Sequence, residues 1–283
     1  YERDAFPDNY VSLITAKPEY TLSFLERHRL DELFPMVERN PEIRFDTHNQ
    51  QFAETPFYFR QEVQFSNLRK VPAKDDEGLA ATRLDTNHTL SYAGRVGDVS
   101  VTPHVGTRQT LYSRGVSSDG AFVRGVVDPG VDVSTRFYKT YDVAIHSFGL
   151  DYNQIRHIFE PTVSYNYRPN PTVLRTKLQP FDAIDAIDKQ NVIHYNFENK
   201  FQTKERAADG SLSTREIARI IPFFDTDLHT GRLRNAGMRM ELRPYGWLGI
   251  EGDSMLDAES RHVDTTNLDF YLEKGPVRLA IGQ

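Results

Sequence analysis

Two segments in which apolar and polar side chains alternate constrain the fold more than any other feature of the chain. In residues 162–168, Val163, Tyr165 and Tyr167 alternate with polar residues, and residues 193–201 repeat the pattern. A period of two with one apolar and one polar face predicts a strand that lies between two different environments. The stretch between them carries three prolines, which cannot donate hydrogen bonds to a ladder and so predict a long loop: Pro169, Pro171 and Pro180.

The same alternation recurs along most of the chain. Residues 57–65 place Phe57, Phe59, Val63 and Phe65 on one face, and the residues between them are largely polar. Roughly a dozen such segments follow one another, joined by short and long connections in turn. Many are about 9–11 residues long, the length that a tilted strand needs to cross a bilayer. The sequence therefore predicts an all-β protein, an antiparallel up-and-down transmembrane β-barrel.

The pattern also predicts where strands break. The apolar phase of residues 131–148 shifts near residues 137–138, which predicts a strand that continues past a bulge. Segments 215–224 and 233–243 are expected to form a hairpin. Turns are expected at Arg29–Glu32 and at Asp209-Gly210, and residues 70–79 read as a polar loop. The longest connections are expected at Arg114–Gly130 and Arg168–Gln190, and they are the candidates for loops outside the cell.

Composition excludes several classes of protein. The net charge is -6, with 34 basic and 40 acidic residues spread along the chain, which argues against a nucleic-acid partner. The chain has no Cys, so it contains neither disulfides nor thiolate metal sites. No apolar run is long enough to predict a transmembrane helix. The mean hydropathy of -0.56 is compatible with a barrel, because alternation lowers the average.

No motif for catalysis or for a cofactor is present. Asp182, Asp185 and Asp188 stand three residues apart and could face a cation, but the ligand spacing, glycine and closing glutamate of an EF-hand are missing. They are read as a polar loop with one helical turn capped by Asp182. The nine His residues show no paired-ligand spacing, and GxSxG, P-loop and GxGxxG motifs are absent. We expect no catalytic, cofactor-binding or metal-binding residues, and no enzymatic activity.

Charged side chains lie on the polar faces of several predicted strands. On a single strand this fits either the solvent face of a soluble sheet or the wet lumen of a barrel. Charges on a lipid-facing surface cost about 2–4 kcal/mol near the bilayer midplane. The number of strands with the pattern favours the lumen for the charged set: Arg60, Glu62, Arg108, Lys200, Arg239, Glu241 and Arg243. Trp247 beside Tyr245 fits an interfacial aromatic girdle or an ordinary strand end equally well.

Residues 159–191 carry a family resemblance. Phe159-Glu160-Pro161 leads through Tyr165 and Tyr167 to Pro169, and Phe181-Asp182 and Asn191 follow. This order resembles the lipopolysaccharide-assembly outer-membrane proteins, the LptD or organic-solvent-tolerance family, although many members have a longer loop between "FD" and "N". Weaker similarities lie at five other places: residues 40–43, Thr82-Arg83-Leu84-Asp85, residues 101–103, residues 107–112 with a "T-x-Y", and residues 277–283.

The resemblance implies a location and a function. The chain would be a bacterial outer-membrane β-barrel domain over residues 1–283, a partial barrel that lacks the first and last strands. It would transport lipopolysaccharide and insert it into the outer leaflet, without catalysis. The implied partners are lipopolysaccharide, a plug lipoprotein of the translocon, periplasmic bridge proteins and outer-membrane lipids. Two alternatives stay open: another outer-membrane channel or porin for small solutes, and a soluble all-β carbohydrate-binding or structural protein.

Overall fold

The described residues are almost entirely β-strand. A computed structural model describes residues 9–30, 33–73, 78–116, 120–206 and 210–282. Besides a short 3-10 helix at Arg175–Lys177, these residues form 17 strands. In chain order the strands are β1 Tyr10–Ala16, β2 Tyr20–Arg27, β3 Met36–Thr47, β4 Gln50–Gln51, β5 Phe57–Val71, β6 Leu79–Tyr92, β7 Gly94–Val96, β8 Val99–Tyr112, β9 Phe122–Thr135, β10 Phe137–Ile145, β11 Tyr152–Arg168, β12 Gln190–Arg206, β13 Leu212–Asp227, β14 Arg232–Tyr245, β15 Leu248–Asp257, β16 His262–Lys274 and β17 Val277–Gly282. Within the described ranges, none of the helical structure has the length and apolar character of a membrane-crossing helix.

The chain divides into two compact units, each an antiparallel meander. The first takes in the described residues of Tyr1–Gly94, Thr102–Gly130 and Tyr167–Gln190. In it β1, β2, β3, β5, β6 and β8 pair in succession, and β4 adds to β5. The second takes in Arg95–Val101, Val131–Asn166 and the described residues of Asn191–Gln283. There β10 pairs with β11, and β12 to β17 pair in succession. The predicted all-β, antiparallel up-and-down fold of a transmembrane barrel segment is confirmed.

Polar and apolar faces of the first unit are inverted relative to a soluble sheet. Phe65 of β5, Leu84 of β6 and Leu111 of β8 lie opposite one another and are 39, 40 and 43% exposed. One residue away, Arg83 lies opposite Ser66 and Tyr112 and is only 1% exposed. Soluble domains bury their large apolar side chains, whereas a strand of a membrane barrel turns them outward toward lipid.

The second unit repeats the separation of faces. One cross-strand row joins five charged residues of β12 to β16: Lys200, Arg219, Glu241, Glu251 and Asp269. The neighbouring row runs from Ile220 through Met240 and Gly252 to Leu268. Because directly opposed residues of an antiparallel pair share a face, each row marks one face of the sheet.

One predicted loop is wrong, and one predicted bulge is confirmed. Residues 122–130 of the expected Arg114–Gly130 loop belong to β9. The sequence hides their alternation because Arg124 is one of the buried side chains, Val123 and Val127 are exposed, and Gly125 interrupts the apolar pattern. The expected bulge lies at Arg136, since β9 and β10 on either side of it both pair with β11.

The expected turns fall at strand ends. β13 and β14 form the predicted hairpin. β2 ends at Arg27 and β3 begins at Met36, which brackets the turn expected at Arg29–Glu32, although residues 31–32 lie outside the described part. Asp209 of the expected Asp209-Gly210 turn lies outside the described residues. Residues 74–77 of the expected polar loop do so as well. The predicted connection after β11 is confirmed as residues 169–189, here named the connector.

Two glycines of the second unit lie beneath aromatic rings of the opposing strand. Gly237 of β14 is opposite Phe223 of β13, and Gly249 of β15 is opposite Tyr271 of β16. A Cβ at Gly237 would overlap both the Phe223 ring and the carbonyl oxygen of Ser254. A ring that covers a strand glycine protects backbone that no side chain of its own can shield, and it pins the register of the two strands.

We predict that Gly237→Ala lowers the free energy of unfolding by about 1–3 kcal/mol, since the added methyl forces the ring and the β15 backbone to shift. Denaturant unfolding of the protein in detergent micelles measures the change. The matched control is Gly246→Ala, where a Cβ meets nothing within 4 Å. The control should stay within about 0.5 kcal/mol of the parent. Equal losses in both variants would contradict the close contact at Gly237.

Candidate functional site: a connector anchored to a polar sheet face

The connector is anchored by one buried arginine of β6. The two guanidinium Nη atoms of Arg83 donate to both carboxylate oxygens of Asp182, at 2.8 and 2.6 Å. Its Nη1 also donates to Asp185 Oδ1 at 3.2 Å. A planar guanidinium matches two carboxylate oxygens at once, so this pairing fixes orientation as well as charge. Arg83 thereby joins a strand of the first unit to a loop about a hundred residues later in the chain.

Asp185 is satisfied from three further directions. The hydroxyl of Tyr112, at the end of β8, donates to its Oδ1 at 2.7 Å. Its Oδ2 accepts from the backbone N–H groups of Phe181 and Asp182, at 2.9 and 3.1 Å. Buried carboxylates are stable only when hydrogen bonds and an opposite charge replace the lost water. Asp185 has both, so its charge holds the connector's own turn as well as the strand.

Arg124 of β9 binds the connector through its backbone. Its Nε donates to the carbonyl of Val173 at 3.0 Å and its Nη1 to the carbonyl of Ile184 at 3.0 Å, while Nη2 donates to Ile187. The loop carbonyls that no strand partner satisfies thus accept from one side chain. Next to it, Gly125 and Thr172 exchange two hydrogen bonds: Gly125 N–H to Thr172 Oγ1 at 2.7 Å, and Thr172 N–H to the Gly125 carbonyl at 3.0 Å.

An apolar contact completes the anchorage. Phe181 is buried in a small cluster with Leu68 of β5 and Ala81 of β6, and Val37 of β3 packs against it. Full burial of such a ring contributes roughly 1.5–3 kcal/mol. The cluster lies directly beside the ion pairs, because Phe181 precedes Asp182 in the chain. Water is thereby kept from the pairs on that side.

The three aspartates do not converge on one point. Asp182 and Asp185 face Arg83, whereas Asp188 pairs with Arg175 of the connector itself at 3.3 Å and is half-exposed. Asp182 does begin a hydrogen-bonded turn, accepting from the Ile184 N–H at 2.9 Å. Throughout the described ranges, no group of three His, Cys, Asp or Glu residues is placed to hold a metal ion. The cation opposite the aspartates is an arginine.

Sequence reasoning missed the residues that the aspartates meet. Arg83, Tyr112 and Arg124 were assigned no role, although the first two lie in the weaker family similarities around residues 82–85 and 110–112. In the folded chain the segments of these motifs meet. Asp85, two residues after Arg83, accepts from Thr110 Oγ1 at 2.6 Å, which adds a second link between the same two motifs.

All seven charged residues expected on polar faces lie there. In the first unit Glu62 pairs with Arg60 at 2.8 Å and with Arg108 at 3.6 Å. The members from the second unit are likewise engaged with their neighbours. Lys200 pairs with Glu160 at 2.9 Å, Arg243 with Glu241 at 3.9 Å and Glu251 at 3.4 Å, and Arg239 lies 5.4 Å from the centre of the Phe223 ring.

The aromatic pair at the β14–β15 turn is also formed. The rings of Tyr245 and Trp247 stack with centroids 4.8 Å apart. The Tyr245 hydroxyl donates to the Phe148 carbonyl at 3.0 Å, and the Lys274 ammonium lies 5.9 Å from the Trp247 ring. An interfacial girdle here stays a prediction.

Antiparallel strands with an exposed apolar face and an ion-paired polar face are typical of β-barrel proteins of the outer membrane. A protein-family model described as LptD protein matches residues 80–226, just over half of the chain. The chain belongs to the LptD family. The matched range contains Arg83, Tyr112, Arg124 and the connector. No curated protein matches the chain. The family consists of outer-membrane proteins that act in lipopolysaccharide transport and assembly, and it is not an enzyme family.

We predict that Arg83→Met is among the most destabilising single changes in the first unit. It leaves the buried Asp185 and the partly buried Asp182 without the Arg83 guanidinium, and breaking a buried pair costs about 3–5 kcal/mol. Urea unfolding of the protein in detergent micelles measures the loss, and adding Asp182→Asn and Asp185→Asn should recover part of it.

The matched control for Arg83 is Arg60→Met on β5. Arg60 pairs with Glu62, but its side chain is 50% exposed. Such pairs contribute about 0–1 kcal/mol, so a small loss is expected. If the two methionine variants lose similar amounts, Arg83 is not the anchor of the connector.

We predict that acid weakens the hold on the connector as pH falls from the ordinary pKa of aspartate toward the lower pKa that Asp182 has in the folded protein. Burial raises the pKa of Asp182, but the hydrogen bond and charge of Arg83, with smaller contributions from the Ile184 N–H and Arg39, hold the pKa below its ordinary value of 3.8. A carboxylate with a lowered folded-state pKa stabilises the fold above the unfolded-state pKa. That stabilisation is lost as pH falls through the lower, folded-state value.

Hydrogen exchange of peptides from the connector checks this pH dependence. Protection, corrected for intrinsic exchange rates, should be constant from pH 7 to about pH 5 and should fall below about pH 4. The Asp182→Asn variant is the control, and its profile should be flatter because that carboxylate no longer titrates. Protection that stays unchanged to pH 2 in the parent protein would contradict the role of Asp182.

Proposed function

We propose that the protein transports lipopolysaccharide and inserts it into the outer leaflet of the bacterial outer membrane, as a non-enzymatic component of the translocon. The observation that carries the proposal is the match to the LptD family over residues 80–226. The residues of that range include strands with segregated faces in both units. An ion-paired polar face suits hydrated sugars, while an exposed apolar face suits acyl chains and membrane lipids.

The proposal includes partners for each face. Lipopolysaccharide would arrive from periplasmic bridge proteins, and a plug lipoprotein would lie against polar faces. Mixed charges support a protein partner, because Arg243 lies beside Glu241 and Glu251, so this face offers groups of both signs for pairing. The 283 residues would form part of a single outer-membrane barrel domain. None of these steps requires a covalent change in the cargo.

Depletion of the protein in cells tests the proposal. Newly made lipopolysaccharide is followed with a label that reacts only at the cell surface, and total synthesis is measured in parallel. We expect surface labelling to stop while synthesis continues, because the cargo loses its route to the outer leaflet. Re-expression of the parent protein should restore labelling. Labelling at the normal rate throughout depletion would contradict the proposal.

A solute channel is the alternative that the polar faces also support. Hydrated ion pairs such as Arg60–Glu62 and Arg243–Glu251 could line a water-filled path. Uptake of small labelled solutes in the same depleted cells distinguishes the two. Reduced uptake with normal surface lipopolysaccharide would favour the channel, and the reverse result favours export.

A further inference from the structure

The first unit has a polar face that its own connector covers. The Arg83 side chain is fully buried beneath the connector, where it pairs with the equally buried Asp185 of the connector, although Arg83 lies on the sheet face that elsewhere carries exposed charge. On the polar face of the second unit, Arg243 and Glu251 remain half-exposed. The difference comes from residues 169–189, which occupy the space that water or a ligand would otherwise fill.

The contacts of the connector are distributed along its length, so opening the connector would break all of them together. Thr172 and Val173 bind β9 near its start, Lys177 accepts from the Val116 N–H at 3.1 Å in the middle, and Ile184 and Ile187 bind Arg124 near its end. Opening the connector would break these contacts, the Arg83 pairs and the Phe181 contact in one step. A mobile lid is drawn from the weakly held parts of a protein, and the connector has the opposite character.

We propose that Arg83 is a positioning residue that holds the connector closed over the polar face of the first unit while cargo is transported. The connector is a fixed internal barrier and not a moving gate. Arg83 touches no cargo, and it acts only by fixing where residues 169–189 lie. This inference rests on the proposed function for the cargo, whereas the barrier itself can be measured without it.

An engineered disulfide can hold the connector in place when Arg83 is removed. A Cβ placed at Gly125 would lie 3.4 Å from Thr172 Cγ2 and 3.7 Å from its Oγ1, so the two side chains are in contact. Gly125→Cys with Thr172→Cys is therefore the pair that we choose for cross-linking, which needs Cβ atoms that approach to about 3.5–4.5 Å. The chain has no natural Cys, so no other thiol in these 283 residues competes.

The experiment compares barrier and transport in cells that carry the full-length protein. Influx of a bulky hydrophilic antibiotic reports the barrier, and surface labelling of new lipopolysaccharide reports transport. Arg83→Met, scored at equal amounts of assembled protein, should raise antibiotic influx several-fold. Adding the cysteine pair under oxidising conditions should return influx to the parent level, and a reductant should reverse the rescue. If Arg83 had a merely structural role, a disulfide elsewhere on the connector would not restore the influx of the Arg83→Met variant to the parent level.

The decisive arm is the cysteine pair in the parent background. With the disulfide formed, surface lipopolysaccharide should arrive at the parent rate, because a fixed barrier does not need to open. Transport that stops on oxidation and resumes on reduction would show that the connector moves, and would overturn the proposal. Failure of the oxidised pair to rescue Arg83→Met would also overturn it.

Two controls keep the test decisive. If Arg83→Met does not assemble, Asp182→Asn weakens the same anchor while Asp185 keeps its pair with Arg83, and it should show the same influx and the same rescue. Arg60→Met, which removes an exposed charge from the same face, should leave influx unchanged. Normal surface labelling after depletion would remove the proposed function, yet the influx measurements would still decide whether Arg83 positions a barrier.

Discussion

The ion pair between Arg83 and Asp182 is the interaction on which the organisation of the first unit depends. A guanidinium buried on a sheet face is unfavourable unless its charge is paired. The strand itself supplies no carboxylate in the right place, so a loop must supply it. Once the connector has placed Asp182 and Asp185, its other contacts form as well. These are the hydrogen bond of Tyr112 to Asp185, the hydrogen bonds of Arg124 to connector carbonyls, and the apolar contact of Phe181. The connector is therefore part of the folded core of this unit.

The inversion of faces explains why such a core can exist at all. In a soluble sheet the apolar face is buried and the polar face meets water. Here Phe65, Leu84 and Leu111 are turned outward, which leaves the interior side of the strands to polar groups. Packing on that side cannot rely mainly on the hydrophobic effect. It relies on satisfied charges, which are specific in geometry and costly when a single partner is missing.

Much of the fold could be predicted from sequence because period-two alternation is a local property. The faces of β5 and the hairpin of β13 and β14 follow directly from it. β9 could not be predicted, since Arg124 and the adjacent Gly125 interrupt the apolar pattern that marks a strand. The anchor could not be predicted either. The spacing of the aspartates is visible in the sequence, but which cation they meet depends on how distant strands come together.

The chain order of the anchor has a consequence for how the protein is built. Arg83 and Asp182 are separated by 99 positions. Between them the chain leaves the first unit, forms β10 and most of β11 of the second, and only then returns with the connector. During biogenesis Arg83 of β6 and Arg124 of β9 therefore stay unpaired and hydrated until the later hairpin of β10 and β11 has formed. Closing so long a loop is slow, which makes the return of the connector a natural late step in assembly. Factors that keep nascent strands soluble would act on this chain mainly before that step.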